Sequence, residues 1–122
     1  FYAVLHRILH LRSLYKYIHK HHHQQHAPSR GSNDAVNVHP IEYILGEYNH
    51  LLAIYIVSLF LPVHAHACAA FIVLGGIMSS LNHTRYDITM PLGIFDTKAH
   101  DQHHVIPTVN YGQYLMVWDW VM

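Results

Sequence analysis

Two uncharged runs dominate the middle of the chain, Leu51 to Val63 and Ala67 to Leu81, with Pro62 and His64-Ala65-His66 between them. A helix needs about 20 apolar residues to cross the hydrocarbon core of a bilayer. The second run has about that length if it begins at Ala65. The first reaches it only by borrowing Ile41 to Leu45. The pattern predicts a transmembrane helical hairpin over residues 41–82, with helices at 41–61 and 65–82, a turn near Pro62 and no strand in the block. Gly75 with Ser79, and Gly76 with Ser80, place small residues one turn apart, which lets helix backbones approach closely in a membrane. A buried hairpin in a soluble helical bundle is the alternative, because Glu42, Glu47, Asn49 and His50 lie near its start.

The flanks carry a different pattern. Leu5, Ile8, Leu9, Leu11, Leu14, Tyr15 and Ile18 recur at a helical period, so residues 1–23 read as a helix. Residues 24–40 read as a linker, since Gln24, Gln25, Pro28, Ser29, Gly31, Ser32, Asn33 and Asp34 have no apolar period. His39-Pro40-Ile41-Glu42 looks like a helix start, with Pro at the first turn and an acid soon after. Residues 83–122 form a cap: a loop at Pro91 and Gly93, a short helix over His100 to His104 ended before Pro107, and a last amphipathic helix opened by Asn110-Tyr111-Gly112-Gln113-Tyr114. That helix would put Leu115, Trp118 and Val121 on one face. The expected architecture is a single all-α domain, an integral membrane hairpin with a His-rich helical cap.

Charge orients this picture. The chain has 122 residues, seven Lys and Arg, and seven Asp and Glu. That balance excludes nucleic-acid binding through a basic surface. Only 11% of residues are charged and 52% are apolar, low in charge for a soluble domain. Arg7, Arg12, Lys16, Lys20 and Arg30 precede the apolar block; Arg85 and Lys98 follow it; the turn has none. The positive-inside rule then puts both ends of the hairpin on the cytoplasmic side. Cys68 is the sole cysteine, which excludes a disulfide framework and a thiolate metal site. Phe1 to Leu5 does not read as a signal peptide, and the expectation is that the chain is part of a longer protein.

Histidine changes the picture most, with fifteen in the chain. His100, His103 and His104 fall at i, i+3 and i+4, one helix face. His19, His22 and His23 repeat the spacing, and His6 and His10 form an i, i+4 pair. His19 lies nine residues beyond His10, on the far side of a straight helix, so a bend near Ser13 is needed to bring both groups to one site. The hairpin returns His83 and the last triplet to the side of the first groups. These nine imidazoles exceed what one ion takes and suit two. Imidazole binds iron, zinc, copper and nickel, and zinc alone is satisfied by four ligands. A sulfur-free, His-rich, two-metal site beside a membrane suits oxygen activation by non-haem iron on a lipid. The run from His19 to His26 is interior and interrupted by Lys20, Gln24 and Gln25, unlike a tag. His21 and His26 fall off the shared face, His39 reads as structural before Pro40, and His50, His64 and His66 are not expected as ligands. Asp101 can accept from a ligand's second ring N–H or sit on a solvated face; Asp87 and Asp119 have the same two readings. Tyr111, Tyr114 and Trp118 read as core or interface aromatics.

His6-Arg7-Ile8-Leu9-His10, His19-Lys20-His21-His22-His23 and His100-Asp101-Gln102-His103-His104, with Asn110-Tyr111-Gly112-Gln113-Tyr114 and Trp118-Asp119 after them, resemble the fatty acid hydroxylase/sterol desaturase superfamily. Tyr15, Val38-His39-Pro40-Ile41-Glu42 and His83-Thr84-Arg85-Tyr86-Asp87 are similar to its sterol methyl oxidase and sterol hydroxylase branch. The resemblance implies an integral membrane di-iron enzyme that hydroxylates or desaturates a lipid or sterol C–H bond. It would use dioxygen and electrons from a cytochrome b5-type donor or a reductase. By the same resemblance His6, His10, His19, His22, His23, His83, His100, His103 and His104 are the ligands of two iron ions, with zinc as the substitute metal. The location implied is the endoplasmic reticulum in a eukaryote or the inner membrane in a bacterium, His motifs facing the cytoplasm. Two features depart from the pattern. Some members carry a further His where this chain has Ser79, and the family's membrane helices before the first His motif are absent. A non-catalytic membrane subunit with a structural metal or none is the competing reading, and a soluble His-rich metal store is a third.

Overall fold

The computed structural model describes residues 1–25 and 31–121. Its elements are α1 (Tyr2–Leu9), α2 (Arg12–Tyr15), α3 (Pro40–Ser58), α4 (Ala65–Asn82), α5 (Thr97–Val105) and α6 (Val117–Val121), with 3-10 turns at His19–Gln24, Gly31–Val36 and Pro91–Gly93. Among the described residues there is no strand, only one isolated bridge between Thr89 and Asp96.

The single helix expected over residues 1–23 is broken. Leu11 is extended (φ −61°, ψ 136°) between α1 and α2, so the first bend falls two residues before Ser13. A second break follows α2, and His19 to Gln24 wind as a 3-10 turn. The breaks turn His6, His19, His22 and His23 all inward, each buried, which no straight helix allows. The expected linker holds a 3-10 turn at Gly31–Val36 that packs on α4. Gly31 opens it at φ +65°, a conformation glycine adopts without strain. The expectations for His26, Pro28 and Ser29 fall outside the described residues.

The two apolar helices start where the pattern places them. His39 caps α3, its ring nitrogen accepting the Ile41 N–H at 3.2 Å, and Pro40 occupies the first turn. His64 caps α4 in the same way through the His66 N–H, also at 3.2 Å. Among the described residues, only α4 is long and apolar enough to cross a membrane. Helix α3 is interrupted by Glu42, Glu47, Asn49 and His50, so the expected two-helix span is met in one helix.

The stretch expected to open the last helix is not helical. Residues 110–116 run as loop, Asn110 takes φ 54°, and α6 begins at Val117. The backbone is committed elsewhere: the carbonyls of Val109 and Tyr111 accept from the rings of His103 and His6. A helix would have used both carbonyls internally. Asn110 supports the turn by donating to the Ala99 carbonyl at 3.0 Å.

The core is polar. His6, His19, His100, His103, Asn82 and Asp34 are fully buried beside Phe95 and Leu9. The apolar side chains of α3 and α4 lie largely outside, among them Leu52, Tyr55, Val57, Val73 and Leu74. This inverts the usual soluble arrangement.

Candidate metal centre

The nine histidines singled out in the sequence converge in two groups. His6, His10, His19, His23 and His103 form one; His22, His83, His100 and His104 form the other; ligand nitrogens within each group lie within 4.8 Å of one another. The division follows helical geometry. Residues at i and i+4 share a centre, as His6 with His10, His19 with His23 and His100 with His104 do. The i+3 residues, His22 and His103, cross to the other centre. Each triplet therefore feeds both centres, which ties α1, α5 and the His19–Gln24 turn into one unit.

The nitrogens face one another. In the five-histidine group the Nε2 of His6 is 3.0 Å from that of His19 and 3.1 Å from that of His103; His19 and His23 are 3.1 Å apart, as are His10 and His103. In the four-histidine group His83 is 3.3 Å from His22 and 3.2 Å from His100, and His104 is 3.1 Å from His100. Nitrogens held about 2.1 Å from a shared ion are about 3.0–3.4 Å apart in octahedral or tetrahedral arrangements. The observed spacings fall in that range.

The opposite ring nitrogens settle where the protons are. His6 Nδ1–H donates to the Tyr111 carbonyl at 2.9 Å, His103 to Val109 at 2.6 Å, His83 to Ser79 at 3.0 Å and His104 to Gln25 at 2.8 Å. His19 Nδ1–H donates to Glu42 Oε1 at 2.6 Å. With Nδ1 carrying the proton in neutral rings, the Nε2 atoms of His6 and His103 present only lone pairs to each other. Lone pairs at 3.1 Å repel unless a cation lies between them. Burial lowers His83 against the opposing Ser79 carbonyl and Asp34, and burial reinforced by neighbouring imidazoles lowers His6, His22 and His100 and brings His10 to about 3, His23 to about 2, His103 to about 4 and His104 to about 3. Neutral imidazole is the form that binds metal, so the donor set fits metal ions in both groups.

The remaining histidines of the described residues lie apart from both groups. His50 Nε2 bonds to the Tyr114 hydroxyl at 3.0 Å, His64 and His66 stack on each other at the start of α4, and exposed His21 meets Asn37 at 3.3 Å. Asp87 pairs with Lys98 at 3.1 Å on the surface. Asp119 receives the Gly112 N–H on both oxygens, at 3.0 and 2.9 Å, and so closes the loop that offers Tyr111 to His6. Asp101 lines a space of about 10 Å³ beside the four-histidine group, shared with His22, Gln25, Asp34, His83 and His104. That is room for about one water. Ser79 supports His83 through its carbonyl, while its hydroxyl accepts from Gln113 Nε2 at 2.7 Å.

Sequence reasoning missed Glu42 and Asp34, both buried at the site. Glu42 reads as a complement to the α3 dipole, and Asp34 as one more loop former. The only signal was that each is an acid in a chain with few charges.

Two cavities adjoin the centre. One of about 430 Å³ lies between α3 and α4, walled by Ala53, Ile54, Val57, Ala67, Cys68, Phe71, Leu115 and Trp118, with Tyr2 at its end. The other, about 290 Å³, reaches Glu42, Ser79 and Gln113 and shares Tyr2, His50 and Tyr114 with the first. The Tyr2 ring lies 5.6 Å from the His6 ring, so it separates the apolar space from the five-histidine group. Burial, with Glu47 adding to it, pushes the Tyr114 hydroxyl up to about 12, so it stays protonated beside His50.

Comparison with known proteins places this geometry. The sequence model of a family described as fatty acid hydroxylase matches residues 1–122. The chain is 37% identical over 114 residues to fatty acid hydroxylase ahd1 of Mycosarcoma maydis, covering 92% of this chain and 27% of that protein. It is 36% identical over 120 residues to methylsterol monooxygenase 1 of Rattus norvegicus, covering 94% of this chain and 39% of the relative. It is 32% identical over 119 residues to lathosterol oxidase of Rattus norvegicus, covering 94% and 38%. The chain thus spans about a third of the length of these relatives. No solved structure matches.

Proposed function

Because the chain belongs to the fatty acid hydroxylase family, we propose that it forms the metal-binding part of a membrane enzyme that hydroxylates or desaturates a lipid or sterol C–H bond with dioxygen. His6, His10, His19, His23 and His103 would hold one iron, and His22, His83, His100 and His104 the other. Bound iron supplies the redox chemistry that activates dioxygen, with electrons from a cytochrome b5-type donor or a reductase. Everything else falls to the chain. Backbone carbonyls and Glu42 fix the tautomer and orientation of five rings, so each presents a lone pair. Eight of the nine rings are buried, His10 being the partly exposed one, which keeps bulk water from the centre. The apolar cavity between α3 and α4 takes the hydrocarbon part of the substrate and delivers it toward Tyr2 and His6.

Helix α4 supplies a membrane span, and the exposed apolar side chains of α3 lie against lipid or the rest of the protein. The Lys and Arg on both flanks of the apolar block support a reading with the histidines on the cytoplasmic side, at the endoplasmic reticulum in a eukaryote or the inner membrane in a bacterium. The observation that carries this reading is the facing of imidazole nitrogens in groups of five and four. Five imidazoles exceed what a structural zinc uses. The test is turnover: detergent-purified protein loaded with iron, given a reductant, dioxygen and a membrane lipid extract. A product with one added oxygen or two fewer hydrogens, formed only with dioxygen, supports the proposal. Protein carrying both ions that yields no such product from lipids or sterols refutes it.

A further inference from the structure

Each group has a buried acid beside it, but the two acids act differently: Asp34 lines the small space beside the four-histidine group, whereas Glu42 bonds directly to a ring of the five-histidine group. Four of the five supported rings donate to neutral backbone carbonyls. His19 alone donates to a carboxylate, at 2.6 Å, shorter than most charge-assisted bonds. His19 is also a hub of its group, with its Nε2 within 3.1 Å of both His6 and His23. Glu42 is itself buried at 5% exposure, and its second oxygen, Oε2, has no hydrogen-bond partner. A buried carboxylate with one neutral donor is costly unless positive charge lies close by. A cation in the five-histidine group supplies that charge through His19.

We infer that Glu42 is a positioning residue that makes the two metal sites inequivalent, giving the five-histidine site its tighter hold on a divalent ion through His19. This rests on the two-metal reading above and deepens it. A carboxylate behind a ligating imidazole fixes the ring and raises the basicity of the coordinating nitrogen, and losing such a partner costs about 10–100-fold in metal affinity. Glu42 stands in the first turn of α3, whose later residues Ala53, Ile54 and Val57 wall the larger cavity. The same helix therefore sets the ring of His19 and the space beside it.

The variant Glu42→Gln tests the charge while leaving an oxygen able to accept from His19 Nδ1. Iron-loaded protein in detergent is titrated with a chelator, and metal per chain is followed with the Mössbauer spectrum. Parental protein should release its two irons in two steps, at chelator concentrations about tenfold or more apart. In Glu42→Gln the tighter step should shift about 10–100-fold toward the looser one, and one of two iron signals should change while the other stays. Identical release curves for variant and parent would overturn the inference and leave Glu42 in a structural hydrogen bond with His19. If the variant does not fold, the parental titration still decides, because single-step release of both ions contradicts inequivalent sites. Failure to bind two ions at all would instead refute the two-metal reading.

Discussion

His22 and His23 are neighbours in sequence and members of different groups, so alanine at each should have different consequences. His22→Ala leaves His83, His100 and His104; His23→Ala leaves His6, His10, His19 and His103. Both side chains are buried, 7% and 5% exposed, so the packing loss is alike and the difference isolates coordination. Four-ligand structural zinc sites bind with roughly 10–16 kcal/mol, or roughly 3 kcal/mol per ligand. At 1.4 kcal/mol per tenfold, His22→Ala should weaken its ion about 100-fold. His23→Ala should cost about tenfold, because four imidazoles still complete a coordination shell. The assay is metal per chain after equilibration with a competing chelator, with circular dichroism to confirm folding. The expected result is about one ion in His22→Ala and about two in His23→Ala. Equal losses, or a larger loss in His23→Ala, would refute the division of each triplet between two centres.

Other outcomes follow from the same geometry. His83→Ala should abolish lipid oxidation and remove one ion, whereas Ser79→Ala should be mild, costing about 1 kcal/mol. The Ser79 carbonyl that holds His83 survives that change, and only the Gln113 bond is lost; product assays and metal content showing the reverse ranking would remove His83 from the site. Gly112→Ala should lower stability by about 1–3 kcal/mol, because a Cβ there collides with the Asp119 carboxylate and the Leu115 carbonyl; an unchanged melting curve contradicts it. Metal should be retained on dialysis at about pH 5.5 and lost only under stronger acid, since protons compete for His10, His23, His103 and His104 only near their lowered values of about 3, 2, 4 and 3. Release near pH 6.5, where free imidazole titrates, would contradict that.

What the sequence made legible was whatever depends on local period. The spacing of His19, His22 and His23, and of His100, His103 and His104, puts rings on shared faces, and α4 is an uncharged run with a defined start. The family motifs were legible for the same reason, being contiguous. Non-local needs were hidden. Residues 110–116 have an amphipathic look, yet two of the carbonyls there and just before are claimed by His6 and His103, 105 and 6 residues away. Glu42 sits where an acid ordinarily complements a helix dipole, and nothing local shows that His19 lies 2.6 Å away. The bend expected near Ser13 falls at Leu11, between the His6–His10 pair and the triplet that begins at His19. For α3, the length of the apolar run suggested a span, but it carries two carboxylates, buried Glu42 at the metal centre and exposed Glu47 at the rim of the smaller cavity.

The account stands most directly on the metal. Elemental analysis of detergent-purified protein, with metal expressed per chain, should give two iron ions after iron loading. They should be held by the five-histidine and four-histidine groups, so that His100→Ala lowers the count toward one while His19→Ala, which leaves four imidazoles in its group, weakens its ion and keeps the count near two. One zinc per chain, or no metal retained by correctly folded protein, would contradict a two-iron centre and the lipid oxidation built on it.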